Sequence, residues 1–564
     1  MTGQAFSTQS KTAAQPTTWL RRVLPNLGWL SGAIALLISL PVLALIYEAL
    51  FSPADDAFRD IANTVLWDYC INSLAVVFFT LIFACLFAIP PAWWCARYEF
   101  KGRRFLQWAM VFPLAIPAYI SAYIYTDALD YAGPIQSGLR ALMGWQTPQD
   151  YWFFDVRSRI GASIMLALAL YPYIFLLLRH SFANQSETLE HAARLMGAKP
   201  RTIFFKIHLP LVRPALAVGC TLVAMEALAD FGTVHLFAIS TLTTAIYDSW
   251  LVYGSLATAT KISCLLLLFV LSLVWLERRQ RRQQKQYDVK ASARLQDNLP
   301  SNGQLWIIWG VCLSIFAAGF VIPVLTLISY CTTYLAENIQ PTLWQHAVNT
   351  FWLAVIAALL CTFIALLLNA RVRFNNNIVT QTHLTIASLG YAIPGTVLAI
   401  AVLIPLGFAD LSINAWLEAQ GADTIGLLFS GTTFALVLAF VIRFAAIANG
   451  SINSAYSQIH PHLDLAARTL RSRKARVFQR IHLPLIAPAT LSALLLVFIE
   501  CVKELPAALL LRPFDFETLS TYVYQFASDE QLEHGALAAL LIIVVSLLPI
   551  ALLAKTQRAA NAEH

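Results

Sequence analysis

Residues 189–215 read LEHAARLMGAKPRTIFFKIHLPLVRPA, and residues 463–489 read LDLAARTLRSRKARVFQRIHLPLIAPA. The two stretches align without a gap, and the correspondence runs on to about Leu236 and Leu510. An internal repeat constrains architecture before any other signal, because each copy is one structural unit. Here each copy is short, basic and amphipathic, and it lies between apolar runs too long for a soluble core. The chain therefore reads as two homologous membrane halves, each with its own polar element between spans.

Composition agrees with that reading. Hydrophobic residues make up 58% of the chain and charged residues 12%, about half the charge usual in a soluble globular protein. The 564 residues suit two membrane halves of roughly 280 residues each. Apolar runs of about 20 residues, the length that crosses a hydrocarbon core, fall near 29–50, 71–96, 105–126, 160–179, 211–237 and 262–276. A second set falls near 305–330, 349–370, 382–407, 427–449, 485–511 and 534–554. The expected fold class is an all-α polytopic membrane protein with about 12 transmembrane helices in two homologous six-helix halves. Its expected parts are a tail 1–28, a first membrane domain 29–276, a basic linker 277–304, a second membrane domain 305–554 and a tail 555–564. Pro90, Pro91, Pro113, Pro117, Pro172, Pro394 and Pro405 lie in or beside these runs, where packed membrane helices re-satisfy the freed backbone groups.

Basic residues give the orientation. With the N-terminus inside, most Lys and Arg fall on one side: Arg97 to Arg104, both repeated segments, and the ERRQRRQQKQ run of the linker. The opposite loops gather Asp55, Asp56, Asp60, Asp127, Asp130, Asp410, Asp423, Asp529 and Glu530. The positive-inside rule then places both termini in the cytoplasm. The net charge of +7 is read as a topology signal rather than a sign of nucleic-acid binding. The first apolar run is too long for a signal peptide and lacks a small-residue cleavage site, so it reads as a retained span. The nine cysteines, among them Cys70, Cys85, Cys95, Cys220, Cys264 and Cys501, form no CxxC pair and read as small packing residues. No histidine pair has zinc spacing, so no metal site is assigned.

Within each repeat, Ala192-Ala193 or Ala466-Ala467 comes early, a basic stretch follows, and Ile207-His208-Leu209-Pro210 or Ile481-His482-Leu483-Pro484 closes it. Proline is tolerated in a first helical turn, so each segment reads as a short cytoplasmic helix ending where the next span begins. The alanines would let a partner approach closely, and Arg194 and Arg468 would offer charge. A helix lying on lipid headgroups is the plainer reading of one copy; two copies before homologous spans favour docking.

The following spans carry acids. Glu226 and Asp230 lie in the first half, and Glu500, Lys503 and Glu504 in the second, with Glu226 aligned to Glu500 and Asp230 to Glu504. An ionisable group inside a membrane is costly, so it marks function or pairing. Spacing of four would put the acids of each pair on one helix face, with Lys503 able to neutralise a facing acid. A polar translocation path and a charge register between the halves both fit.

The pattern Ala192-Ala193, Gly197, Ile207-x-Leu209-Pro210 resembles the EAA loop of ATP-binding-cassette importer permeases, through which such subunits dock on cytoplasmic ATPases. The resemblance implies docking roles for Glu190, Ala192, Ala193, Arg194, Gly197, Ile207, Leu209 and Pro210, and for Asp464, Ala466, Ala467, Arg468, Arg471, Ile481, Leu483 and Pro484. The chain departs from the family at His191 and Leu465, where the glutamate belongs, and at Arg471 in place of glycine. Unequal ATPase contacts are the implied consequence. The stretches EALADFGTVHLF, TLTTAIYDSW and ECVKELPAALLLRPFDFETLSTYVYQF resemble the tandem-fused permeases of ferric-iron importers. Relatives for thiamine, phosphonates, polyamines or sulfate share the loop.

That resemblance implies two ATPase subunits carrying ATP and Mg, one periplasmic substrate-binding protein, a bacterial inner-membrane location and no cofactor on this chain. It also implies a route for Fe(III), a hard ion suited to oxygen ligands such as Glu226, Asp230, Glu500 and Glu504. The chain has no GxxxxGK[ST] phosphate loop, so ATP hydrolysis is expected in a partner, and no catalytic constellation marks it as an enzyme. A proton-coupled secondary transporter would also have two six-helix halves, but it has no need of paired docking loops.

Overall fold

The computed structural model describes residues 27–185, 187–282 and 299–562. Much of the expected tail 1–28 and linker 277–304 lies outside the described residues. Among those described, every regular element is helical and no strand occurs. Among the described residues nine helices are long and apolar enough to cross a membrane, or 11 with each of two bent pairs taken as one span. The expected last span is represented by the shorter apolar helix Leu532–Leu547.

The membrane helices of the first half are α1 (Leu27–Phe51), α2 (Leu66–Arg97), α3 (Ala118–Leu129), α4 (Arg159–Ala183), α5 (Arg213–Ala229) and α6 (Leu256–Arg282). The second half contributes α7 (Asn302–Thr333), α8 (Pro341–Phe374), α9 (Gly395–Ala419), α10 (Thr433–Gln458), α11 (Leu483–Lys503) and α12 (Leu532–Ala562). Helix α6 runs on to Arg282, so the expected linker boundary at 277 falls inside a helix.

Length and capping explain the frame. Helix α2 has 32 residues and α8 has 34; at 1.5 Å per residue both exceed a hydrocarbon core of about 30 Å. The surplus turns carry Arg97 and Arg373 beyond the apolar run. Helix α4 starts at Ser158, whose side chain accepts from the Gly161 amide, and α10 starts at Thr432, which accepts from Phe434. Both hydroxyls satisfy an amide that the first helical turn leaves orphaned.

The halves interlock. Helix α1 packs on α9 and on the short helix Ile378–Ala387 of the opposite half, where Ser31 Oγ lies 3.0 Å from His383 Nδ1. Helix α7 packs on the first half through Phe112, Phe316 and Phe320, and the Tyr125 hydroxyl donates to the Ala318 carbonyl at 2.6 Å. The duplication extends to single hydrogen bonds. Ser73 Oγ accepts from the Leu242 amide at 2.9 Å, and Thr350 Oγ1 accepts from the Leu519 amide at 2.7 Å.

Four of the expected spans contain a break. The run 105–126 crosses Ile116-Pro117, and the run 382–407 crosses Ile393-Pro394. Both isoleucines are extended, with ψ of 118°, and both prolines cap the helix that follows. Proline drives its predecessor out of the α region, a backbone effect that apolar composition does not register. The runs 211–237 and 485–511 stop being helical at Ala229 and Lys503. Short helices Gly232–Leu236 and Pro506–Leu511 follow.

A polar cavity between the halves and two anchored connecting helices

Three of the four breaks line one cavity, and the fourth abuts it. Ile116 to Tyr119, Ala229 to Gly232 and Glu504 to Pro506 surround about 120 Å³ of space together with Leu166, Ala169, Tyr173, Glu226, Arg443, Glu500 and Lys503. Irregular backbone at membrane depth is tolerated where it is buried in protein or lines a polar cavity. All five residues expected on a path are therefore brought together.

Their arrangement differs from one acid face per helix. Asp230 and Glu504 lie past the ends of α5 and α11 in extended backbone, with ψ of 132° and 118°. Each turns forward to the next short helix. Asp230 accepts from the amides of Thr233 at 3.0 Å and Val234 at 3.2 Å, and Glu504 accepts from that of Ala507 at 3.3 Å. Their own carbonyls accept from Thr243 and Ser520, each at 2.8 Å. Glu226 and Glu500 remain on the helices, half-buried.

Lys503 pairs with Glu500 on its own helix, Nζ to Oε1 at 2.9 Å, rather than with an acid across the cavity. Arg443 of α10 is a cation that the sequence reading missed. It is 6% exposed, and its Nη1 lies 3.5 Å from Glu504 Oε1. Its signal was present, as the one basic residue in the apolar run 427–449. Tyr391 interacts with both Glu226 and Tyr173. Among the described residues, no three carboxylate, histidine or cysteine side chains converge closely enough to hold a metal ion. Glu226, Asp230, Glu500 and Glu504 line the cavity without forming a chelating cluster.

The repeated segments form helices Glu187–Leu195 and Pro461–Thr469. The first ends in a left-handed turn at Gly197, φ 79°, and the second places Arg471 in that conformation at φ 51°. After short helices Pro200–Ile203 and Lys474–Val477, each passes through a π turn, Phe204–His208 or Phe478–His482. Leu483-Pro484 then opens α11 directly, as expected. In the first copy Ile207, Leu209 and Pro210 precede a 67° bend, and the span starts at Arg213.

One acid anchors each connecting helix. Glu190 is buried and receives Arg97 and Arg194, and His208 Nε2 lies 3.2 Å from its carboxylate. The His208 contact and the two guanidinium groups outweigh burial and hold this carboxyl down at about 2. His208 Nδ1 is 2.6 Å from Gln185 Oε1. Asp464 receives Arg373 Nε and His482 Nε2, both at 2.7 Å. Partial burial pushes its pKa up, but these two partners win and lower it.

These contacts revise the sequence reading at three points. His208 and His482, given no role in the sequence reading, clamp the anchor acids. Arg194 is engaged with Glu190 instead of standing free. Only Ala192 and Ala466 of the alanine pairs face outward, because Ala193 and Ala467 are 4% exposed. Leu189, Leu195 and Met196 of the first copy, and Leu465 and Leu470 of the second, make the outer faces apolar. Ile481 is half-buried; Leu483 and Pro484 are exposed. The side chain of Arg468 lies outside the described residues.

Fold and site together define a multi-pass helical membrane protein whose duplicated halves enclose a polar cavity and each carry an anchored connecting helix between two spans. Comparison with known proteins gives the family. Residues 88–282 and 362–559 each match the binding-protein-dependent transport system inner membrane component, so the chain belongs to that family of transport permeases. It is similar to the Fe(3+)-transport system permease protein FbpB 2 of Haemophilus influenzae, 26% identical over 88% of this chain and 89% of that protein. The ferric transport system permease protein FbpB of Actinobacillus pleuropneumoniae is 23% identical over 84% of this chain and 69% of its own length. A probable sulfate transport system permease protein, cysT of Anthoceros angustus, is 27% identical over 36% of this chain and 67% of its own.

Proposed function

We propose that this chain is the fused permease subunit of an ATP-driven importer that takes ferric iron across the bacterial inner membrane. The observation that carries the reading is the cavity: four carboxylates from matched positions of the two halves face two cations, a balance that suits a hard cation and opposes an oxyanion such as sulfate. The ferric permeases resembling this chain match it over most of its length, whereas the sulfate permease matches about a third of it.

In this reading one chain replaces two separate permeases, domains 29–276 and 305–554 each supplying half of the path. Both termini and both connecting helices lie in the cytoplasm. The apolar faces around Ala192, Leu195, Ala466 and Leu470 seat two ATPase subunits that bind ATP and Mg, while a periplasmic binding protein delivers the iron. Glu190 and Asp464 hold those faces at a fixed angle instead of touching the ATPase. Helix breaks at Asp230 and Glu504 give the spans the discontinuity on which alternating access relies.

The test is uptake of labelled ferric iron by cells with and without the chain, under ATP depletion and, separately, under collapse of the proton gradient. Uptake that needs the chain and ATP and survives loss of the gradient is expected. Gradient-dependent uptake would point to a secondary carrier, and absence of iron uptake would overturn the cargo.

A further inference from the structure

Arg443 is a costly residue with no counterpart in the first half. Measured from the helix caps Thr432 and Ser158, it takes the place held by Ala169, which also lines the cavity. The guanidinium is 6% exposed, and its Nε and Nη1 make no hydrogen bond. Its contact with Glu504 at 3.5 Å is longer than the roughly 2.7–2.9 Å of a charge-assisted hydrogen bond. A buried cation held this loosely keeps most of its attraction but is not locked in one geometry.

The pair is nevertheless built into the fold. A Cβ at Gly395 would lie 2.5 Å from Glu504 Oε1 and 2.7 Å from Arg443 Nη1. The aligned first-half residue after Pro117 is Ala118, so the missing methyl is specific to the half with the cation. The Phe444 ring supports the guanidinium from 5.7 Å. Glu226, Glu500 and Tyr391 are the other groups whose charges bear on it.

We propose that Arg443 is a tethered competitor for the cargo: it neutralises Glu504 while no metal cation is there, and a cation advances by displacing it. The inference rests on the cation reading above and deepens it. A route must attract an ion yet release it. Among the described residues no three ligating side chains converge, and a competing guanidinium further weakens the hold of Glu504. Arg443 thus acts as a positioning residue for release.

Tb³⁺ is the probe, added to the full chain assembled with its ATPase partners in lipid nanodiscs; nearby Tyr173 sensitises its luminescence. Arg443→Gln is expected to bind Tb³⁺ about tenfold tighter, because a buried positive charge opposing the ion is gone. Arg443→Lys is expected to return affinity toward that of the parent. In a Glu504→Gln background, Arg443→Gln is expected to add no tightening. Unchanged or weaker binding by Arg443→Gln, or equal tightening in that background, would overturn the proposal. If Arg443→Gln fails to assemble, Gly395→Ala takes its place, since the methyl forces the pair apart; tightening is expected, and parental affinity overturns the idea. Failure of the parent to import ferric iron would sink the cargo assignment but leave this Tb³⁺ comparison readable.

Discussion

The acids of the cavity come in matched pairs, Glu226 with Glu500 and Asp230 with Glu504, whereas both cations belong to the second half. Alanines occupy the first-half places: Ala229 stands where Lys503 does, and Ala169 where Arg443 does. The connecting helices show a similar contrast. Glu190 is deeply buried and takes two arginines, while Asp464 is more exposed and takes one. Duplication has kept the backbone breaks and the acids, and the halves have diverged in how those acids are neutralised. Negative charge is the shared property, and its compensation is the tuned one.

The largest expected effect tests the anchors. Arg97→Ala leaves the Glu190 carboxylate short of its buried partner and is expected to loosen helix Glu187–Leu195 by about 3 kcal/mol, in the range for breaking a buried pair. Arg373→Ala is expected to cost helix Pro461–Thr469 about 1–2 kcal/mol, because Asp464 is open enough for water to compensate in part. Hydrogen exchange of the two helices in both variants measures the difference; equal deprotection would remove the distinction between the anchors.

A second test exchanges the small residues of the cavity wall. Gly395→Ala is expected to destabilise the fold by about 1–3 kcal/mol through overpacking against Glu504 and Arg443. Its mirror, Ala118→Gly, is expected to cost under about 1 kcal/mol. Thermal unfolding in nanodiscs separates them, and equal shifts would mean that the methyl is absorbed by backbone movement.

The pH dependence sharpens the comparison between anchors. The Glu190 carboxyl is lowered from 4.5 to about 2, so its stabilisation is fully present above pH 4.5 and is lost as pH falls toward 2. The Asp464 carboxyl is also lowered, from 3.8, so its contribution is complete above that value and fades below it. Exchange of residues 187–195, taken relative to the intrinsic amide rate at each pH, is therefore expected to stay flat from neutral pH down to 4.5 and rise beneath it. A rise centred near pH 6 would assign the control to another group.

The smallest effect concerns the turns. Arg471→Gly relieves a left-handed residue, a cost of roughly 1–2 kcal/mol, against the larger unfolded-state freedom of glycine, about 0.4–1 kcal/mol. A net gain of about 0.5 kcal/mol is expected. Gly197→Arg should lose about as much in the first half. Protection of residues 187–195 and 461–469 reports both changes.

The repeat, the apolar runs and the aligned acids were legible in the sequence because each is a matter of composition or spacing. The breaks were less so. Pro117 and Pro394 stand in plain view, but a window of hydropathy treats them as tolerated interruptions, and nothing in LADFG announces that the helix stops before Asp230. His208 and His482 meet acids of their own repeated segments, but Arg97 and Arg373, which complete the anchors, stand some 100 residues away from those histidines in sequence, so local pattern alone does not supply them. Arg443 was legible in principle: a lone arginine in an apolar run calls for a partner. It lacked a counterpart in the other copy, and attention to repeated features passes over what occurs once.

That single occurrence has a consequence for parity. Two identical subunits around a two-fold axis contribute every residue twice, so a chamber on that axis contains each charge in even number. A continuous chain that carries both halves is free of this rule. One substitution in one copy changes the chamber by a single charge, and the Arg443–Glu504 contact is such an odd-numbered feature. Covalent fusion has therefore given this permease finer steps in the electrostatics of its cavity than a symmetric pair of subunits can take.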